Sequence, residues 1–332
     1  MSRSVFTSAV PLLLVVMCCC TGGAAAADEN SESETDPNFE WKNIKDEGVT
    51  VELLGAPGLL KVGSDVFAVA EAQCKKDEKK NFFTGIASQL LTKDNADTPV
   101  EVLKDPKDKT QFLEDGSEDP KKVDVSRPTT VMQGSDIYML VGKYSQTAAT
   151  GQEGGGANDG GLLLVQGEVI DESSGGKRIK WKDDDDVLRI SVGELNSWTG
   201  LIGGGGSGVH MGDGRLLFPV QGTKKGEAKK DEKAVSLLIY TSDNSASWTL
   251  SKEVPDGGCS DPSVVEWKDK KLIMMTACDD GRRRVYESGD KGDSWTEALG
   301  TLSRVWGNKK GEKGKPLGAG SLQRRLEKIR EK

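Results

Sequence analysis

Two octapeptides 47 residues apart constrain the fold of this chain more than any other feature. Ser288-Gly-Asp-Lys-Gly-Asp-Ser-Trp295 has the form Ser/Thr-x-Asp-x-Gly-x-x-Trp, known as an Asp box. Thr241-Ser-Asp-Asn-Ser-Ala-Ser-Trp248 repeats it with Ser245 in the glycine place. The Ser or Thr and Asp side chains (Thr241 and Asp243, Ser288 and Asp290) are of the kind that bonds a turn's own amides. Gly292 permits a positive φ, and Trp248 or Trp295 supplies an apolar plate that anchors the turn. A decayed third copy, Thr92-Lys-Asp-Asn-Ala-Asp-Thr-Pro99, keeps only Thr92 and Asp94. A period near 47 residues predicts one four-stranded propeller blade per repeat, in an all-β chain. The box is a folding device and carries no chemistry.

The N-terminus reads as a secretory signal peptide over residues 1–27: Arg3, an apolar run from Val10 to Cys20, then Gly22-Gly-Ala-Ala-Ala-Ala27. The apolar run is too short to span a bilayer, and no C-terminal lipid-anchor signal follows. The expected location is therefore secreted or cell surface. The net charge of −8 and the absence of a basic stripe argue against nucleic acid, and no cofactor motif is found. Beyond the signal only Cys74, Cys259 and Cys278 remain, an odd number for an oxidising compartment.

Residues 28–46 are acidic and read as disordered. Strands are predicted at Val49–Leu54, Val66–Ala70, Ile137–Val141, Leu162–Val165, Leu216–Val220, Val235–Tyr240, Val264–Trp267, Leu272–Thr276 and Arg284–Glu287. Between Lys75 and Lys122 the composition predicts a loosely ordered insertion with one weak strand at Val100–Leu103. Thr147–Gly161 reads as a Gly-rich loop and Lys224–Lys233 as a charged hairpin tip. After Gly307 comes a basic linker, then residues that read either as a frayed charged tail or as a short helix capped by Ser321 with Leu322, Leu326 and Ile329 along one face. Such a helix is marginal alone in water.

Strands flanking the polar turn Lys268–Lys271 form a hairpin, and Cys259 and Cys278 mirror each other about its centre. A Cys259–Cys278 disulfide is therefore expected, with Cys74 left as a free thiol or an intermolecular link. Other tempting features have plainer readings. His210 has no identifiable catalytic partners. Gly203-Gly-Gly-Gly206 lacks the ending of a phosphate loop and reads as a turn or a close backbone approach. Asp183-Asp-Asp-Asp186 lacks the alternate-ligand spacing of a Ca²⁺ loop, so no metal site is expected. Arg282-Arg-Arg284 reads as a blade strand with solvated or paired arginines.

Three runs carry a family resemblance: Cys259-Ser-Asp-Pro-Ser-Val-Val-Glu-Trp267, Arg282-Arg-Arg-Val-Tyr-Glu-Ser288, and Gly300-Thr-Leu-Ser-Arg-Val-Trp-Gly307. From Val49 to Gly307 the chain resembles the trypanosomal trans-sialidase-like surface proteins of the sialidase superfamily. The resemblance implies a six-bladed β-propeller, of which about four blades are expected over residues 47–307. It also implies a surface antigen with host sialoglycans, galactosides, host proteins or antibodies as partners. The alternative it implies is an exo-sialidase or trans-sialidase that hydrolyses or transfers terminal sialic acid.

Sialidase chemistry uses a Tyr nucleophile, a carboxylate that activates it, an Asp acid/base, and three arginines that clamp the substrate carboxylate. In the resemblance, the first clamp position falls on Gly55 in Leu54-Gly-Ala-Pro57 and the second on Ala277. The acid/base position falls on Glu71, and the Tyr-activating position on Asp261. A substrate-contacting Asp is replaced by Arg127 in Arg127-Pro-Thr129, and the acceptor-site Trp by Gly151. The remaining clamp Arg and the Tyr belong beyond Gly307, where no counterpart is read. The resemblance thus leaves Glu71 and Asp261 as altered catalytic candidates, no substrate-binding arginine, and an expectation of inactivity.

Overall fold

The computed structural model describes residues 38–45, 48–76, 81–91, 101–144, 161–172, 176–183, 187–190, 198–224, 233–241, 248–300 and 303–308. Twenty strands and two single-turn 3₁₀ segments fill them. The first strand, β1 (Phe39–Asn43), lies on the outer side of a meander made of β2 (Val49–Val62), β3 (Asp65–Lys76), β4 (Asn81–Leu91) and β5 (Thr110–Asp115). A second meander follows as β6 (Lys122–Gln133), β7 (Asp136–Tyr144), β8 (Gly161–Asp171) and β9 (Lys177–Trp181), with β10 (Val187–Arg189) also on β8. The third runs β11 (Trp198–Gly203), β14 (Leu216–Lys224), β15 (Ala234–Thr241) and β16 (Trp248–Leu250). The short β12 (Gly206–Ser207) and β13 (Val209–His210) lie between β11 and β14 in the chain. The fourth is β17 (Cys259–Glu266), β18 (Leu272–Cys278), β19 (Arg283–Ser288) and β20 (Thr296–Glu297). Each meander is a four-stranded antiparallel blade, and a short β5–β6 pairing at Leu113↔Val123 joins the first two.

Period-2 alternation within the strands builds the stack, because each blade turns one row of apolar side chains to the next. Phe67, Val69 and Ile86 of the first blade meet Val125, Met139 and Val165 of the second in one core. Leu140 and Leu164, on the opposite face of the second blade, meet Phe218 and Ile239 of the third. Leu217 and Leu238 of the third then meet Val264, Met274 and Tyr286 of the fourth.

The structure corrects two expectations. Residues 38–45 are ordered: β1 pairs along its length with β5, and Phe39 and Trp41 are buried. Trp41 packs against Trp181, and its amide donates to Asp183 Oδ1 at 2.6 Å. Two aromatics in a polar stretch outweigh its acidic composition. The Lys75–Lys122 stretch is not a loose insertion either, since it holds β4 and β5. Glu101–Leu103 is a turn rather than a strand, and buried Leu103 takes φ 57° with its amide bonded to Gln89 Oε1. β4 escapes a period-2 reading because Gly85, Ile86, Ala87 and Ser88 are all buried, so both faces are covered.

Candidate functional site

The innermost strands of three blades share one local design. Gly55-Ala-Pro-Gly58 in β2, Ser126-Arg-Pro-Thr129 in β6 and Ser260-Asp-Pro-Ser263 in β17 each carry a bulge between the first and last residue of the quartet. In each, the residue before proline has a positive φ: 43° at Ala56, 50° at Arg127 and 52° at Asp261. A residue with a Cβ pays for that backbone with about 1–3 kcal/mol of strain, and such strain gathers at functional sites. The recurrence was present in the sequence as three small-x-Pro-small quartets, a signal that strand-pattern reading passes over.

The bulges bring three charged groups together. Glu71, on β3 directly opposite Gly55, is 2 % exposed, and its Oε2 accepts the Arg127 amide N–H at 2.9 Å. The Arg127 guanidinium donates from Nε to Gly203 O at 2.8 Å and from Nη2 to Gly204 O at 2.6 Å. Nη2 also donates to Asp261 Oδ1 at 2.8 Å. Asp261 is positioned further by Gln221, whose Oε1 accepts the Asp261 amide at 2.7 Å, and by a 3.3 Å bond from Ser260 Oγ. Arg127 thus ties β6 to the Gly203–Gly206 run and to β17. Sequence reasoning placed Arg127 only as a replaced residue and missed it as the hub.

The Gly203–Gly206 run is a close backbone approach, as its composition suggests. A Cβ on Gly204 would lie 2.4 Å from Pro262 O, and one on Gly203 would lie 2.7 Å from Thr129 Oγ1. Gly204 N donates to Pro219 O and Gly205 N to Thr129 Oγ1, so these amides serve the fold. The two residues on which the resemblance sets clamp positions lie close by. Gly55 faces Glu71, and Ala277 is buried between Ser260 on β17 and Arg283 on β19. Neither offers a cation. Gly151 and Asp243 lie outside the described residues.

The other predicted residues are structural. Ser288 Oγ donates to Asp290 Oδ1 at 2.7 Å and accepts the Gly292 amide at 2.8 Å. Asp290 also accepts the Ser294 amide and hydroxyl, and these bonds hold its carboxyl below the usual range. Gly292 has φ 98°, and Trp295 is buried. In the other box, Thr241 Oγ1 accepts the Leu216 amide, and Trp248 lies 5.9 Å from Phe218. Both boxes join the third strand of a blade to its fourth.

Cys259 and Cys278 are bonded, with Cα atoms 4.0 Å apart, closer than the expected range. They face each other in register, yet the Cys278 amide bonds to Arg282 O, which marks a non-hydrogen-bonded pair, where strands approach closest. Cys74 is a buried free thiol, pushed up to about 12 by desolvation, so the intermolecular link has no exposed sulfur to use. His210 is exposed on a short hairpin. Arg284 pairs with Asp256 and Asp280.

Comparison with known proteins matches this architecture. A sequence model described as the BNR repeat-like domain covers residues 56–331. The chain belongs to this family, as a trans-sialidase-like member of the sialidase superfamily. It is similar to Sialidase 85-1.1 of Trypanosoma cruzi, 31% identical over 260 residues, covering 75% of this chain and 34% of that protein. A second T. cruzi sialidase is 36% identical over 185 residues, covering 54% of this chain and 15% of that one. Among solved structures, Trypanosoma rangeli sialidase in complex with the inhibitor DANA has a TM-score of 0.57 and 26% identity. That match covers 77% of this chain and 40% of that one. The same sialidase in complex with sialic acid gives a TM-score of 0.56. The chain therefore spans well under half the length of these relatives. The fold is a sialidase-type β-propeller architecture, four blades of which lie among the described residues.

Within that family the geometry has a clear chemical meaning. Glu71 accepts from the Arg127 amide and Asp261 from its guanidinium, so both carboxylates are tied to one residue of β6. Counted over these three side chains, one guanidinium against two carboxylates is a formal −1, a local charge that opposes an anion.

Proposed function

We propose that this trans-sialidase-like chain is a non-catalytic recognition protein, secreted or held at the cell surface, that engages host glycans or proteins or diverts antibodies. The observation that carries this reading is the Arg127–Asp261 ion pair beside Glu71, with Gly55 and Ala277 standing where the resemblance would set clamp arginines. A substrate carboxylate would find no guanidinium on Gly55 or Ala277 themselves, and that of Arg127 is engaged by Asp261, Gly203 O and Gly204 O. A lost charge-assisted contact of this type costs about 1.5–3 kcal/mol each. No helix among the described residues is long and apolar enough to cross a membrane.

The second reading is a sialidase or trans-sialidase, favoured by the activity named for the relatives, one of which is a T. rangeli sialidase solved with sialic acid. A fluorogenic sialoside assay separates the two. The purified chain should turn over no faster than its Glu71→Ala, Asp261→Ala double variant. Turnover above that variant sinks the non-catalytic reading. Saturable binding to an array of sialylated and galactose-terminated glycans or to host-cell proteins supports recognition, and its absence from all of them removes that role.

A further inference from the structure

The acceptors around the Arg127 guanidinium are fixed by strands other than its own. Gly203 ends β11 and pairs with Val220 on β14. Gly204 N donates to Pro219 O at 2.7 Å, and close packing against Thr129 and Pro262 leaves no room for a Cβ on either glycine. Asp261 is set on β17 by its bulge, at φ 52°, and by the bond from its amide to buried Gln221 on β14. Nε and Nη2 form one flat edge of the guanidinium fork, and they meet the Gly203 and Gly204 carbonyls at 2.8 and 2.6 Å. Asp261 Oδ1 also meets Nη2, at 2.8 Å. Two adjacent carbonyls and a carboxylate match that planar edge, whereas an ammonium is a point charge without a fork.

We propose that Gly203 O, Gly204 O and Asp261 form a guanidinium-binding cradle, which the chain closes with its own Arg127 as an internal plug. The strained bulge at Arg127, φ 50°, delivers the side chain to acceptors on the third and fourth blades. The ligand class that fits the cradle is therefore an arginine side chain or a free guanidino compound. Counted without Arg127, Glu71 and Asp261 leave a formal −2 beside two carbonyl dipoles, so a vacated cradle favours a cation. With Arg127 in place this face refuses both kinds of ion. An anion meets a guanidinium already engaged, and a partner's arginine finds its acceptors taken. The Arg127 side chain is 15% exposed, so a small cation can enter once that side chain is cut back. The inference rests on the proposed recognition role only in treating this face as the ligand face.

Chemical rescue tests this on the full chain. Glycine suits the positive φ of this position, so Arg127→Gly removes the plug without adding strain. Thermal melts are recorded in guanidinium chloride up to about 100 mM, far below the molar range in which it denatures. Ammonium chloride and sodium chloride of equal ionic strength serve as controls. A ligand that binds only the native state raises the melting temperature with its concentration. Guanidinium should do so for Arg127→Gly, ammonium and sodium should not, and the unsubstituted chain should show no such rise. Adding Asp261→Asn should weaken the apparent affinity by about tenfold or more, since a charge-assisted bond is lost. The proposal is overturned if guanidinium fails to stabilise Arg127→Gly, if ammonium does as well, or if the unsubstituted chain responds equally. An unchanged affinity in the double variant overturns it too. Arg127→Asn, whose side chain also tolerates a positive φ, gives the same readout where Arg127→Gly does not fold. Failure of both to refold in guanidinium counts against a preformed cradle. Turnover does not enter these melts, so the plug and the non-catalytic reading can fail separately.

Discussion

Arg127 Nη2 lies 2.8 Å from Asp261 Oδ1, joining the second blade to the fourth across the strained bulges that present both residues. Only 15% of the Arg127 side chain and 28% of the Asp261 side chain is exposed, so water screens the pair weakly. Arg127→Ala should destabilise the chain by about 2–4 kcal/mol, because Asp261, Gly203 O and Gly204 O all lose a charged donor. A double-mutant cycle with Asp261→Ala, read by urea denaturation, should give a coupling of about 1–2 kcal/mol. A coupling near zero would reduce the pair to a surface contact.

The Asp box of the fourth blade predicts a contrast between two nearby glycines. Gly292 sits at φ 98°, and an added Cβ would lie 3.0 Å from Leu238 Cδ1 of the third blade. Gly292→Ala should cost about 1–3 kcal/mol through backbone strain and crowding. Gly289→Ala, where a Cβ meets nothing within 4 Å, should change stability by less than about 0.5 kcal/mol. Thermal melts of both variants provide the check, and equal losses would refute the turn-based account.

Acid should loosen the fourth blade first. Bonds from Arg304, and then from Ser303, pull the Glu297 carboxyl from 4.5 down to about 2, against the opposing effect of burial. Asp280 is lowered chiefly by Arg284, and Asp290 chiefly by Ser294. A carboxylate whose pKa falls on folding stabilises fully above its unfolded value, and the contribution fades as pH drops through the folded one. The melting temperature should therefore fall between about pH 4.5 and pH 2. Glu297→Gln should flatten that slope, and an unaltered pH profile would remove Glu297 from the explanation.

The cysteines should respond in opposite ways. Native-state alkylation should leave Cys74 unmodified, since the thiol is buried and its thiolate disfavoured, while denaturation without reductant should expose Cys74 and leave Cys259 and Cys278 bonded to each other. Replacing both Cys259 and Cys278 by Ser should cost about 2–4 kcal/mol, the usual range for removing a native disulfide. Peptide mapping that joins Cys74 to either partner would contradict this assignment.

The blades were legible wherever one face of a strand is apolar and the other is not, as in β15, and the two Asp boxes marked the joins between third and fourth strands. The Cys259–Cys278 bond followed from hairpin symmetry alone. What escaped reading depends on contacts distant in sequence. β1 is ordered by Trp181 and Asp183, and β4 is covered on both faces. The family resemblance flagged Glu71 and Asp261, but nothing in one sequence shows that Arg127 reaches both, because the link requires β6 to lie between β3 and β17 in the fold.

Restoring one clamp residue should not restore turnover, and Gly55 is the position that tests this cleanly. A Cβ added there meets nothing within 4 Å, and its φ lies outside the left-handed region, so Gly55→Arg should fold with little change in stability. The new guanidinium would stand directly opposite buried Glu71, whose Oε1 accepts from Gln73 Nε2 at a long 3.4 Å. An ion pair with Glu71 would then form in place of a waiting clamp, because a fixed carboxylate on the neighbouring strand outcompetes a dilute ligand. Asp261 would still be engaged by Arg127, and Ala277 would still offer no cation. Fluorogenic sialoside turnover by the Gly55→Arg chain should stay at the level of the Glu71→Ala, Asp261→Ala double variant. A rise of about tenfold or more, equivalent to about 1.4 kcal/mol of transition-state stabilisation, would mean that the catalytic groups are intact and that the clamp alone was missing.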